Sequence, residues 1–248
     1  MLAIIGGSGL ARLGTIKEPH RRVARTPYGE PSGALTFGRL GGRDVVFLPR
    51  HGHGHTIAPH EVNYRANIWA LREENVTAII SVASVGGIRA DLVPGTLAVP
   101  SQIIDYTHGR RGTFFEGPDQ PVTHVDFTEP YCPQLRASLL AAAAAAGEAV
   151  VDGGVYAVTQ GPRLETAAEI DRLERDGCDM VGMTGMPEAV LARELGLSYA
   201  ALAVVANFAA GRGNSEHAID LHGIGKVLSV AMERVTHILD GCVGCHGS

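Results

Sequence analysis

A chain of 248 residues with 45% hydrophobic and 19% charged side chains can bury a substantial core as one large domain or two small ones. The formal charge of -5, with no basic block, argues against a nucleic-acid partner but leaves room for a small phosphate pocket. The opening MLAIIGGSGL lacks a basic leader, and its apolar run breaks at Gly6, too early for a signal peptide or membrane span. A soluble cytoplasmic protein is expected.

In chain order, LAIIGG predicts a first strand running into a glycine turn, and GALTFGRLGGRDVVFLPR a hairpin turning near Gly41–Gly42 and ending at Arg50. VNYRANIWALREEN has helical spacing, and VTAIISVAS is a continuous apolar strand. GTLAVPSQIIDY predicts another strand region, and alanine-rich CPQLRASLLAAAAAAG a helix. VVDGGVYAVTQ reads as a strand pair or one bent strand, TAAEIDRLERDG as a helix and CDMVGM as a short strand. MPEAVLARELG is a helix with proline near its first turn, LSYAALAVVANF the last core strand, and GIGKVLSVAMERVTHILDG an amphipathic closing helix.

This alternation, with strands apolar throughout, predicts an α/β layered fold on a mostly parallel or mixed sheet. A single domain over 1–240 is expected, followed by a flexible tail over 241–248. The cysteines are Cys132, Cys178, Cys242 and Cys245. The tail's CVGCH matches a haem-attachment pattern, a zinc half-site or a redox pair, but a flexible tail is the simpler reading.

Ligands of such folds gather beyond the C-terminal ends of strands. GGSG, PRHG, ASVGG, QGPRLET, GMTGMPE and ANF each follow a predicted strand. GGSG could wrap an anion, with Ser8 adding a hydroxyl, or be a tight turn; it is not a dinucleotide fingerprint, because Arg12 stands where a glycine is required. In PRHGHGH, Arg50 offers a charged fork for phosphate and His51 a further donor. A metal site on His51, His53, His55 and His60, or a phosphorylated His51, are the alternatives. His53 and His55 are expected in a loop or interface. Thr184 precedes a helix N-terminus, where it serves either an anion or a helix cap. Together Ser8, Arg50, His51, the backbone near Ser84 and Thr184 would hold phosphate without metal or lysine.

The segments IIGGSGL, RHGHGHTIAPHEVNYRANIWAL, GPRLET and VGMTGMPEAVLAREL resemble the trimeric purine nucleoside phosphorylase family, and its methylthioadenosine phosphorylase branch in particular, from residue 2 to about 235. The resemblance implies a three-layer α/β/α nucleoside phosphorylase fold with a mixed, barrel-like central sheet. It implies cleavage of a purine nucleoside by inorganic phosphate, a co-substrate, with no cofactor and no metal. The family's phosphate contacts fall on Ser8, Arg50, His51, Ser84 and Thr184, although a threonine of the ASVGG loop is replaced by Ala83. Met183 matches the methionine under the ribose, and His124 a residue reaching the 5′ end from a neighbouring subunit. A homotrimer with shared active sites, or a dimer of trimers, is therefore expected.

Members acting on 6-aminopurines carry aspartate at the position of Asn207, within TDYD; those acting on 6-oxopurines pair asparagine there with a glutamate in GPxFET. Here Asn207 stands with Glu165 in GPRLET, and Ala209 replaces the second aspartate. Ionised Glu165 can only accept, which suits the N1–H of hypoxanthine, and Asn207 can donate to O6 or N7. Taken alone, Glu165 also reads as a helix-start residue and Asn207 as a turn cap. Leu164 and Phe208 flank them as expected substrate contacts. Leu221 and Ile224 are expected to form an apolar 5′ pocket, with His217 or His222 as possible intruders. The expected substrate is 5′-methylthioinosine, with Asn207, Glu165 and His51 catalytic. Methylthioadenosine, inosine or guanosine, and a non-catalytic nucleoside- or phosphate-binding protein, remain as alternatives.

Overall fold

Leu2–Gly6 forms β1, buried along its whole length in the computed structural model, which describes residues 1–10, 14–118 and 120–245. The exposed β2 (Lys17–Arg22) has no counterpart in the sequence reading. It is charged at most positions and, among the described residues, pairs only with β3 (Leu35–Leu40), forming an edge whose charges discourage further pairing. β3 and β4 (Arg43–Pro49) make the predicted hairpin through Gly41–Gly42, and β4 returns parallel to β1. After α1 (Tyr64–Glu73), whose N-terminus is capped by Asn63, comes β5 (Ala78–Gly87).

The predicted strand region over 95–106 divides into β6 (Leu97–Val99) and β7 (Gln102–Asp105), which join different parts of the sheet. Past α2 (Pro133–Ala145), the stretch VVDGGVYAVTQ is two strands, β8 (Val150–Asp152) and β9 (Val155–Val158), likewise with different partners. α3 (Ala167–Arg175) opens with a reciprocal capping box between Thr166 and Glu169. β10 (Met180–Gly182), α4 (Gly185–Glu194), β11 (Ser198–Phe208) and α5 (Leu221–Cys245) complete the described chain.

The strand period of two divides the core between two helical layers. Ile79, Ala83 and Val85 of β5, with Tyr199, Ala201, Ala203 and Val205 of β11, pack against α1 and α4. Their alternates, Ala78, Ile80, Val82, Ala200, Leu202 and Val204, pack against α2 and α5. The result is a three-layer α/β/α arrangement around a mixed sheet.

The sheet branches at β5. β11 runs parallel along one side of it for most of its length. On the other side β1 pairs with Ala78–Ser81, and β10 takes over, antiparallel, at Gly86–Gly87. Between the end of β1 and the start of that second pairing the sheet opens.

The expected tail is not a tail as far as residue 245. Val235, Ile238, Leu239, Cys242 and Val243 continue one buried helical stripe past Gly241, and the Asp240 carboxylate accepts from the Gly41 N–H. Cys242 is therefore in the core, against the haem, zinc and redox readings of CVGCH. His246, which the haem reading also needs, lies outside the described residues. No helix of the described residues is long and apolar enough to cross a membrane.

Candidate active site

The opening beside β5 is a cavity of about 440 Å³. Gly7 and Ser8 enter it from the end of β1, Arg50 and His51 from β4, and Ser84 and Gly86 from β5. Leu164 and Glu165 come from the β9–α3 connection, Met183 and Thr184 from the end of β10, and Asn207 from β11. Ile219, Ile224 and Leu228 supply an apolar wall.

Arg50 is fully buried and does not present its fork to the cavity. Its Nε and Nη2 donate to Glu188 at 2.6 and 2.8 Å, Nη2 also to Ser81 at 2.6 Å, and Nη1 to the Val82 carbonyl at 3.1 Å. Glu188 also accepts from Ser81 and Tyr199 at 2.8 and 2.9 Å. Burial opposes the guanidinium charge, but the Glu188 carboxylate more than compensates and holds the Arg50 pKa above its usual value. Four N–H groups are thus engaged within the protein, leaving one on Nη1 for a ligand. Gly7 lies against that nitrogen: a Cβ there would stand 2.8 Å from Nη1 and 2.7 Å from the Val82 carbonyl oxygen.

His51 Nδ1 lies 2.9 Å from the Ile57 carbonyl, which can only accept, so Nδ1 carries the proton. Burial first, then the Arg50 charge, push its pKa down to about 4. At neutral pH the ring is uncharged and its Nε2 is an acceptor, which corrects the expected donor role. His55, in a turn as expected, lines the cavity with its Nε2 3.4 Å from the Ser8 hydroxyl. Ser84 donates to the Ser8 carbonyl at 3.1 Å, tying β5 to the turn after β1.

Thr184 is 7% exposed and makes no side-chain capping bond. The helix after it is also irregular: Met186 and Pro187 depart from helical geometry, so regular turns begin beyond them. The helix-cap reading of Thr184 therefore lapses, as does the reading of a regular helix N-terminus aimed at an anion. Met183 packs on Gly161, whose φ of 61° and lack of a Cβ admit the sulfur.

Asn207 follows a register shift between Val205 and Asn207 on β11, which displaces Ala206 from the ladder. Its Nδ2 donates to the Phe208 carbonyl at 2.7 Å, leaving a second N–H and Oδ1 available. Glu165 accepts from the Thr159 hydroxyl at 2.6 Å.

Some expected contacts lie elsewhere. Leu221 is 66% exposed and absent from the cavity wall, where Ile219 and Leu228 stand beside Ile224. Phe208 is also off the wall, its ring packed against Gly213. His124, in the irregular segment between β7 and α2, is exposed and does not line its own chain's cavity; nor do the exposed His217, after β11, and His222, in α5. Among the described residues no three His, Cys, Asp or Glu side chains form a potential metal group.

The sequence reading missed Arg110. Its Nη1 donates to the carbonyls of Met183 and Met186 at 2.8 and 2.6 Å, and its Nη2 to those of Thr159 and Gln160 at 3.3 and 2.8 Å. It ties the loop carrying Met183 and Thr184 to the one leading to Glu165.

A family model described as "Phosphorylase superfamily" matches residues 1–244. A Pseudomonas syringae pv. tomato protein named "Probable S-methyl-5'-thioinosine phosphorylase" is 56% identical over 213 residues, covering 86% of this chain and 87% of that protein. A Pyrococcus furiosus "6-oxopurine nucleoside phosphorylase" is 47% identical over 215 residues, covering 85% and 80%. Among solved structures, a methylthioadenosine phosphorylase from Schistosoma mansoni in complex with adenine matches with a TM-score of 0.94 at 35% identity, covering 99% of this chain and 91% of that one.

Proposed function

This chain belongs to the phosphorylase superfamily, and we propose that it cleaves 5′-methylthioinosine with inorganic phosphate, releasing hypoxanthine and 5-methylthioribose 1-phosphate. The observation that carries this reading is that Glu165 and Asn207 line one cavity with an apolar wall of Ile219, Ile224 and Leu228. The carboxylate suits an N1–H, the amide suits O6 or N7, and the apolar wall suits a methylthio group better than a hydroxyl. The names of similar curated proteins support the same substrate.

Phosphate is held by Ser8, the backbone near Ser84, Thr184 and the remaining Nη1–H of Arg50. The dianion's own P–OH donates to His51 Nε2, the acceptor that the Ile57 bond leaves exposed. Because Glu188 already balances the Arg50 charge, the anion is oriented without being strongly neutralised and keeps its nucleophilicity. As the glycosidic bond stretches, the anion stabilises the developing ribosyl cation and then attacks C1′. Asn207 stabilises the departing base at N7 or O6, and Met183 lies under the sugar without competing for hydrogen bonds. The site needs no covalent intermediate and no cofactor.

His124 reaches the 5′ end of a neighbouring protomer's substrate in a homotrimer. Its exposure away from its own chain's cavity supports that assignment.

The deciding experiment compares phosphorolysis of methylthioinosine, methylthioadenosine and inosine, with and without phosphate. Methylthioinosine should have the highest kcat/KM, with turnover dependent on phosphate. Adenine release equal to hypoxanthine release would refute the assignment of Glu165 and Asn207, and faster turnover of inosine would refute the apolar 5′ pocket.

A further inference from the structure

Glu165 stands between the main cavity and a second one of about 400 Å³. Its Oε1 is 2.6 Å from the Thr159 hydroxyl, and among the described residues no hydrogen bond reaches its Oε2. The same hydroxyl lies 3.3 Å from the Gly182 carbonyl oxygen, which also accepts the Thr159 backbone N–H at 2.8 Å. One hydroxyl proton thus has two acceptors within reach.

We propose that Thr159 is a specificity-determining positioning residue that keeps Glu165 an acceptor toward the base whether or not its carboxyl is protonated. The inference rests on the reading of Glu165 as the residue facing the purine's N1. When Glu165 is ionised, Thr159 donates to Oε1 and Oε2 offers lone pairs to the ligand. When it takes up a proton, the proton lies on Oε1 and points back at Thr159 Oγ1. The hydroxyl proton then turns to the Gly182 carbonyl, whose second lone pair can receive it. In both states the Oε2 atom remains an acceptor. An unrestrained carboxylic acid would instead rotate its O–H toward an adenine N1 and accept the wrong base in acid.

Other charges near Glu165 do not serve this purpose. On the second cavity, Arg163 is engaged by Glu169 at 2.8 and 2.7 Å, and Arg172 packs over the Tyr106 ring; His108 also lines that side. On the first, Arg50 faces Glu188, and His51 and His55 lie toward Ser8. All are shared by wild type and a Thr159 variant, so the difference between the two isolates the hydroxyl.

The test is the ratio of kcat/KM for methylthioinosine to that for methylthioadenosine, followed from about pH 8 down to about pH 4, through the ordinary carboxylate range. Wild type and Thr159→Ser should keep a nearly constant ratio. Thr159→Val, which preserves shape and removes the hydroxyl, should lose about 10-fold of its ratio toward acid pH, the effect of one misdirected hydrogen bond. A Thr159→Val profile parallel to wild type overturns the inference; Thr159→Ala supplies the same comparison if the valine variant does not fold. Glu165→Gln is the control: a ratio unchanged by it refutes the reading of Glu165 itself. A lowered Glu165→Gln ratio beside a parallel Thr159→Val profile refutes only the role of Thr159.

Discussion

Arg50 and Glu188 are both fully buried and joined by two charge-assisted hydrogen bonds. Removing one partner strands a charge in the core, so Glu188→Ala should lower the unfolding free energy by about 3–5 kcal/mol, measurable by denaturant titration. Arg50 was legible because a basic side chain right after an apolar strand is unusual. Glu188 was not read, although it is the one charge in MTGMPEAVLA and a buried carboxylate needs a cation. His51 carries a pH signature. Its folded pKa of about 4 lies below the ordinary 6.5, so the unfolded chain binds the proton more readily. Its contribution is full above about pH 6.5 and declines as pH falls toward 4, so His51→Gln should flatten that part of the Tm–pH curve. Asn207→Asp should move the oxopurine-to-aminopurine kcat/KM ratio by at least about 10-fold toward aminopurine, because an acid there can donate to N7. An unchanged ratio would remove Asn207 from base recognition.

At the scale of elements, strands and helices with their own periodicity were readable, and those defined by distant partners were not. β1, the β3–β4 hairpin, α1, β5, β11 and most of α5 carry continuous apolar or helical patterns. β2 has none, being charged and exposed, and owes its strand form to β3. The division of 95–106 into β6 and β7 follows from pairings with β11, β8 and β9, which no local pattern encodes. Arg110 lies in the irregular segment between β7 and α2, where spacing carries no information. Its bonds to loop carbonyls after β9 and β10 nevertheless fix two sides of the cavity. Arg110→Ala should cost up to ~100-fold in kcat/KM with little change in the overall circular dichroism spectrum, since small displacements of positioning groups weigh heavily on rate.

Across the whole molecule, one exposed residue is assigned a role that its own cavity does not use. If His124 completes the proposed neighbouring site, His124→Ala and Arg50→Ala subunits should each be impaired. Mixed oligomers of the two should regain activity at sites where intact halves meet. Light scattering of the 26.0 kDa chain should give a mass of about three protomers or a multiple of that. No recovery on mixing, with exchange of subunits demonstrated, would remove the shared-site proposal. The meeting of Glu165 and Asn207 at one cavity was readable from residues distant in sequence, and Ile224 lines the same cavity as expected, whereas Leu221 does not. Asp220 caps α5, its carboxylate accepting from the His222 and Gly223 N–H groups at 3.0 Å, and the helix begun there leaves Leu221 exposed, so Ile219 and Leu228 stand beside Ile224 on the wall instead.

The exchange of neighbours along β5 has a consequence for motion. Because β1, β10 and β11 all bond to this one strand, its amides share in both branches of the sheet. They should be among the last to exchange with deuterated solvent, while amides between β7 and α2 and in the turns after β11 exchange early. Ligand would then enter by the opening of peripheral segments above a floor that hardly breathes.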